Sequence, residues 1–403
     1  VTRTEKLLAE LIALPSVNPA FLPPRHPNAG EKNAADFLAA IAARAGLEIE
    51  FQKVDFKRWG ERPREPDQSP QLSGSRGRSP HQPNVRSNIV ARLLPRGKIK
   101  QTILLAPHLD TVGAAGTQFI PQRKNGRLHG RGACDTKGSV AAMLAALCEL
   151  ANSKSRPLAT EIIFAGLIDE EHAQAGSRAL VQNKFKADLA IVGEPTKLQV
   201  VTAHKGSLWL ELATRGRAAH GATPHLGKNA IHEMARIVDV LETDYAAQLK
   251  KKKHKLLGAA TVNVGKISGG TQPNIVPDNC VISIDRRTLP GETENSVRRE
   301  ITALLQAKGL SAKISSAKLA PALPLETDFK LPLVQTFLRA VNQTKSLGVD
   351  YFCDAAVLSA GGIPSVVFGP GNIAQAHTAD EWISLAEVER AKNLLLNFLK
   401  SLS

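Results

Sequence analysis

The period of the apolar positions changes several times along the chain, and each change marks an element. Residues 2–14 put Leu7, Leu8, Leu11 and Ile12 on one face at helical spacing. Residues 30–46 predict a second helix, opened by Gly30-Glu31 and closed near Gly46. Short apolar runs at 47–54, 87–94, 102–106, 161–168 and 187–193 predict strands, with an Ala-rich helix at 137–151 among them. Strands alternating with helices predict an α/β fold: a mostly parallel sheet flanked by helices.

The pattern then switches. Segments 207–214, 259–267 and 280–286 alternate as strands, with helices expected at 230–249 and 296–307. That order predicts a small α+β sandwich inserted into the first domain. The first pattern returns with a helix at 329–342, a strand at 364–368 and a last helix from Ser384, where Ser384 and Glu387 form an S-x-x-E capping box. The expected division is therefore 1–203 plus 317–403 for the α/β domain and 204–316 for the insertion. Residues 57–86 carry Pro, Ser, Gly and charge without a period, which predicts a long exposed loop.

Composition narrows this picture. A chain of 403 residues exceeds one typical core, in keeping with two domains. No run of about 18 apolar residues occurs, so no membrane span is expected. The N-terminus lacks the basic head, apolar core and small-residue cleavage site of a signal peptide. Four scattered cysteines without a C-x-x-C pair predict free thiols in a reducing, cytoplasmic setting. The net charge of +15 gathers largely in 53–86 and 250–255. With aromatic residues at only 4%, platforms for stacking bases are scarce. The charge reads as solvated loops that draw anionic substrates, and nucleic acid is not an expected partner.

The chemistry lies in seven residues, each placed where a strand should end or a helix begin: His108, Asp110, Asp135, Glu170, Glu171, Glu194 and His377. An open α/β sheet collects its functional groups outside the carboxyl ends of its strands. Taken singly, each has a plain structural reading. His108-Leu109-Asp110 could be a surface turn, Asp135 an N-cap, and Glu170-Glu171 a solvated acidic turn. Together, two imidazoles and several carboxylates without a thiolate suit a pair of Zn²⁺ or similar ions better than a structural zinc. Asp135 can bridge two cations, one per oxygen. Of the adjacent glutamates, one can bind metal while the other faces water as a general base. Asp110 can accept the second ring N–H of His108 and fix its tautomer.

The ordered set H-L-D-T-V, G-x-G-A-x-D-x-K-G, D-E-E, G-E-P-T and A-H-T-A-D-E resembles the zinc aminoacylase and carboxypeptidase family. That family holds acetylornithine deacetylases, succinyl-diaminopimelate desuccinylases, aminoacylases and dipeptidases. The resemblance implies a di-zinc exopeptidase-like catalytic domain with an inserted lid and dimerisation domain, and hence a homodimer. It implies one metal on His108, Asp135 and Glu194, and another on Asp135, Glu171 and His377, with Co²⁺ or Mn²⁺ as substitutes for Zn²⁺. It makes Glu170 the general base and Asp110 the orienter of His108. It gives His220, in G-R-A-A-H-G, to the oxyanion. Asn274, in N-I-V-P, would contact substrate, and Arg287 would take its carboxylate, with Arg286 the fallback. Glutamate at 194, where many peptidase members have aspartate, favours a small N-acylated amino acid over a dipeptide as substrate. A non-catalytic anion-binding scaffold would show a missing ligand, and none is missing. The chain departs from the family pattern at Phe352-Cys353-Asp354, where relatives often carry Gly-Thr-Asp, and in the length of the basic segment 57–86.

Overall fold

The computed structural model describes residues 1–56, 86–318 and 320–402, so the predicted basic loop lies, but for Arg86, outside the described residues. The chain forms two compact units. One comprises Val1–Val200, Phe329–Lys345 and Cys353–Ser403, and the other Val201–Asp328 and Ser346–Phe352.

In the first unit six strands lie side by side in the order Glu48–Lys53, Ser87–Leu93, Thr160–Gly166, Gln101–Pro107, Leu189–Gly193, Ser365–Val367. The first two junctions are antiparallel and the other three parallel. Thr160–Gly166 and Leu189–Gly193 are buried along their whole length. Strands buried along their whole length need cover on both faces. Ile103, Leu105, Leu189 and Ile191 enter the larger core, with Leu38, Leu144, Phe337 and Leu395 from the helices. Their alternates Leu104, Ala190 and Val192 are equally buried. The helix Ala355–Ala360 packs on the strands Leu189–Gly193 and Ser365–Val367.

The helix Gly138–Ala151 is apolar nearly all round because it is enclosed, packing on the sheet and against the helices Arg3–Ile12 and Leu385–Lys400. It lies so close to the sheet that a Cβ on Gly193 would sit 2.8 Å from the Ser139 Cβ and 3.0 Å from that of Pro107. The strand Gln101–Pro107 is the topological switch point. The chain goes next to its neighbour Thr160–Gly166 and then crosses to Leu189–Gly193 on its other side. The splayed connections there open a crevice at the carboxyl ends.

The second unit holds an antiparallel sheet in the order Thr261–Gly269, Asn279–Thr288, Gly206–Arg215, Lys313–Ser316. Its core joins Leu210, Leu212, Ile282 and Ile284 to Met234 and Ile237 of one helix and Val297 and Ile301 of another. The strand Lys313–Ser316 was not foreseen.

Further elements also differ from expectation. The strands Gln122–Lys124, Arg127–His129 and Trp382–Ser384 form a small antiparallel sheet, each too short to show a period. The last helix has half of the expected capping box. Ser384 Oγ accepts from the Glu387 N–H at 3.4 Å, but the Glu387 carboxylate turns away to accept from Gly371 N–H at 2.9 Å. All four cysteines are free and buried. Among the described residues no helix is long and apolar enough to cross a membrane.

Phe337 anchors the larger core, edge-on to Phe368 at 5.1 Å between ring centres and tilted against Phe398 at 4.8 Å. Phe337→Ala is expected to cost about 3–5 kcal/mol through lost transfer energy and the cavity left behind. The check is the urea midpoint at unchanged slope. A loss under about 1 kcal/mol would show that the site collapses freely.

Candidate metal centre

Three parallel strand ends deliver one histidine and all of the acids but Asp135. His108 follows Gln101–Pro107 directly, and the ladder continues past the strand ends. Leu167 N–H donates to the Pro107 carbonyl at 2.9 Å, and Leu109 N–H to the Leu167 carbonyl at 2.7 Å. Asp169, Glu170 and Glu171 follow Thr160–Gly166 after two more residues, and Glu194 follows Leu189–Gly193. Asp169 turns the chain with φ +68°, a left-handed conformation that Asp tolerates better than most side chains.

His108 Nδ1 lies 3.0 Å from the backbone carbonyl oxygen of Asp110 and 3.6 Å from its carboxylate. A carbonyl oxygen only accepts, so Nδ1 carries a proton and Nε2 faces the acids. Asp110 thus meets the ring more closely through its backbone than through the expected carboxylate. The carboxylate accepts instead from Asn18 Nδ2 at 2.7 Å and from the N–H groups of Glu170 and Glu171 at 3.0 and 3.1 Å. It ties two strand ends together.

Asp135 is not an N-cap. The helix begins at Gly138, and the Asp135 carboxylate turns between two imidazoles. Oδ1 is 3.0 Å from His108 Nε2, and Oδ2 is 3.2 Å from His377 Nε2. The turn that aims it is clamped by Glu381, whose buried carboxylate accepts from the N–H groups of Gly132, Cys134 and Asp135 at 2.8–3.0 Å. Arg131 Nη1 pairs with the same carboxylate at 2.8 Å. The small sheet sets this geometry. Trp382 pairs with His129, which places Glu381 opposite Gly130 at the start of the turn.

His377 is half-exposed, with φ +63°, and its Nε2 also lies 3.1 Å from the Glu171 carboxylate. Glu194 Oε1 is 3.8 Å from His108 Nε2. Donor atoms of His108, Asp135 and Glu171 all fall within 4.8 Å of one another.

Burial opposes charge on every one of these groups. His108 nevertheless sits well above the usual imidazole range, because it is hydrogen-bonded to Asp110 and Asp135 and lies near Glu194 and Glu170. His377 is raised to about 10 by its hydrogen bonds to Asp135 and Glu171. Asp135 is buried but held low by the two imidazoles. The remaining acids get less relief from the imidazoles. Burial and then neighbouring carboxylates push Glu170 and Glu194 well above the carboxylate range, and burial and Asp135 push Glu171 to about 7. Among the described residues Glu194 Oε1 is buried without a hydrogen-bond partner. An orphaned carboxylate oxygen amid crowded acids and imidazole nitrogens fits divalent cations, which would supply the missing positive charge. Cys134 is no competing nucleophile. Its thiol is buried, donates to the Asn372 carbonyl at 3.3 Å and is pushed up by burial and by Asp135 and Glu381.

The other predicted residues belong to the second unit. His220 and Asn274 are exposed on paired loops, with Gly221 N–H donating to the Asn274 carbonyl at 2.7 Å. Arg286 is fully buried and committed to the Tyr245 hydroxyl at 3.0 Å and to Glu292 at 2.6 Å. Arg287 is half-buried, paired with Asp285 at 2.9 Å, its guanidinium 5.8 Å from the ring centre of Phe352. Strand alternation thus leaves Arg287, not Arg286, open to a ligand. Asn18, Arg86 and Glu381 carry no role in the sequence patterns, and Glu31 only that of opening a helix. Only Glu381 lay inside a quoted motif.

Residues 104–401 match the model of peptidase family M20/M25/M40. An acetylornithine deacetylase of Proteus mirabilis is 32% identical over 308 residues, covering 73% of this chain and 77% of that protein. Among solved structures, an aminopeptidase of Bacillus cereus superposes with a TM-score of 0.73 at 21% identity, over 99% of this chain and 97% of its own. A dinuclear metal-binding M20 peptidase of Bacillus subtilis superposes at 0.67 and 13% identity, over 99% and 97%. At these identities the structures show a shared fold.

Glu381→Gln puts an amide N–H among N–H donors and leaves Arg131 without its buried partner. The expected cost is about 3–5 kcal/mol. Glu387→Gln, which alters a single carboxylate–N–H contact at Gly371, is expected to cost at most about 1.5 kcal/mol. Equal shifts of the urea midpoint in the two variants would contradict the clamp.

Proposed function

The chain belongs to peptidase family M20/M25/M40 and is a metallohydrolase of amide bonds, and from that premise we propose that it frees an amino acid from its N-acyl form. The carrying observation is the Asp135 carboxylate, one oxygen toward each imidazole, with Glu194 on the His108 side and Glu171 on the His377 side. His108, Asp135 and Glu194 would hold one divalent ion and Asp135, Glu171 and His377 the other, Zn²⁺ by preference. When bound, such ions supply Lewis-acid polarisation of the amide carbonyl and a water acidified to a pKa of about 7.

The protein's own groups do the rest. Glu170 takes the proton of the attacking water on its carboxylate and returns it to the departing amine nitrogen. Its backbone N–H is fixed on Asp110, so the side chain starts from a set point at the strand end. Asp110 holds the His108 ring through its carbonyl, which keeps Nε2 turned toward Asp135. His220 steadies the oxyanion, Asn274 contacts substrate, and Arg287 takes the substrate carboxylate in a bidentate fork. These three roles rest on motif likeness. The deacylase reading is supported by glutamate at 194 and by the acetylornithine deacetylase relative. A cytoplasmic homodimer belongs to the same proposal.

The test is amine release by Zn²⁺- or Co²⁺-loaded protein from N-acetylornithine, N-succinyl-diaminopimelate, simple N-acetyl amino acids and dipeptides. Turnover of an N-acyl amino acid is expected, with kcat reduced about 10²–10⁴-fold in Glu170→Ala while both ions stay bound. Turnover of dipeptides alone would replace the deacylase reading with a peptidase one. No turnover with both ions bound would overturn the reading altogether.

A further inference from the structure

Behind the acids that face the crevice lies a second polar layer that touches neither proposed ion. Asn18 is its centre and is fully buried. Its Oδ1 accepts from the Ala20 N–H at 3.0 Å, which fixes the amide's orientation and leaves Nδ2 as the inward group. Nδ2 donates to Asp110 Oδ2 at 2.7 Å and to Asp169 Oδ1 at 3.0 Å. These acids come from two neighbouring strand ends. Arg86 stands on the far side, with Nη2 3.1 Å from Asp169 Oδ1 and Nε 3.0 Å from Glu31. The backbone of Asn18 is held as firmly. Its N–H donates to the Thr111 carbonyl at 2.9 Å, and Thr111 N–H to the Ser16 carbonyl at 3.0 Å.

The consequence reaches the reacting groups. Asp110 accepts the N–H groups of both Glu170 and Glu171 only while its carboxylate is held in place. Asp110 and Asp169 are both buried, and without a donor between them they would repel. An asparagine suits that position because it offers two donors to two carboxylates and adds no charge. We propose that Asn18, backed by Arg86, is the positioning residue that sets the Asp169-Glu170-Glu171 turn, and through it the base and one ligand of the hydrolase. Its catalytic importance rests on the metallohydrolase reading, whereas the positioning itself does not require a bound ion.

The experiment compares Asn18→Ala, Asn18→Asp and Arg86→Lys with Phe337→Leu, a control that loosens the core elsewhere. Amide hydrogen exchange is followed first, in metal-free protein, at residues 167–174 and in the strand Leu189–Gly193. Exchange at Glu170 and Glu171 is expected to quicken about tenfold or more in both Asn18 variants, with the strand unchanged. Arg86→Lys, which keeps the charge, is expected to fall between them and the unsubstituted protein. Co²⁺ titration of the same proteins is expected to show affinity lowered about 10–100-fold in Asn18→Asp, and turnover a lowered kcat at nearly constant KM. Exchange and Co²⁺ affinity that match those of Phe337→Leu would overturn the proposal. If unsubstituted protein bound no Co²⁺ and turned over no amide, the hydrolase reading would fail, while the exchange rates would still decide the role of Asn18.

Discussion

The structure turns on one constraint: carboxylates gathered in a buried crevice without enough positive charge to hold them. Glu170, Glu171 and Glu194 are all raised by burial and by neighbouring acids. Asp135 escapes only because each of its oxygens meets an imidazole. Buried charge is expensive unless paired. Divalent cations at the place where Asp135 stands between His108 and His377 are the proposed relief.

The sheet makes that crowding possible. Its switch point sets the ends of Gln101–Pro107, Thr160–Gly166 and Leu189–Gly193 side by side, and each end contributes acids or a histidine. Long-range ties hold them there. Glu381 gathers the N–H groups of the turn before Gly138, and Asp110 gathers those of Glu170 and Glu171. Arg131 answers Glu381 and Asn18 answers Asp110 from behind, while Arg86 pairs with the neighbouring Asp169. The groups facing the crevice can stay short of positive charge because the layer behind them is paired.

Much of this was legible in the sequence. Six of the seven acids and histidines stand just past strand ends or before a helix, where apolar period breaks off, and a break in period is visible without a structure. His377 lies in the loop between Ile373–Gln375 and Trp382–Ser384 and was legible only from its motif. The buried strands were legible for the same reason, and alternation sets Arg286 and Arg287 on opposite faces of their strand, though only burial shows which one is enclosed. What stayed hidden depended on contacts between distant residues. Gln122–Lys124, Arg127–His129 and Trp382–Ser384 are too short for any period, so the clamp by Glu381 could not be foreseen. Asn18 and Asp110 are 92 positions apart, and nothing local to either announces the pair. The capping box at Ser384 was half right, because Gly371 offered the Glu387 carboxylate a competing donor.

The most direct test is the number of divalent ions bound per chain, measured by equilibrium dialysis and elemental analysis. Two are expected for the unsubstituted protein, about one for Glu194→Gln, and none held tightly by Asp135→Ala, which removes the shared carboxylate. Two ions retained by Asp135→Ala, or a single ion in the unsubstituted protein at saturation, would contradict a bridging role for Asp135.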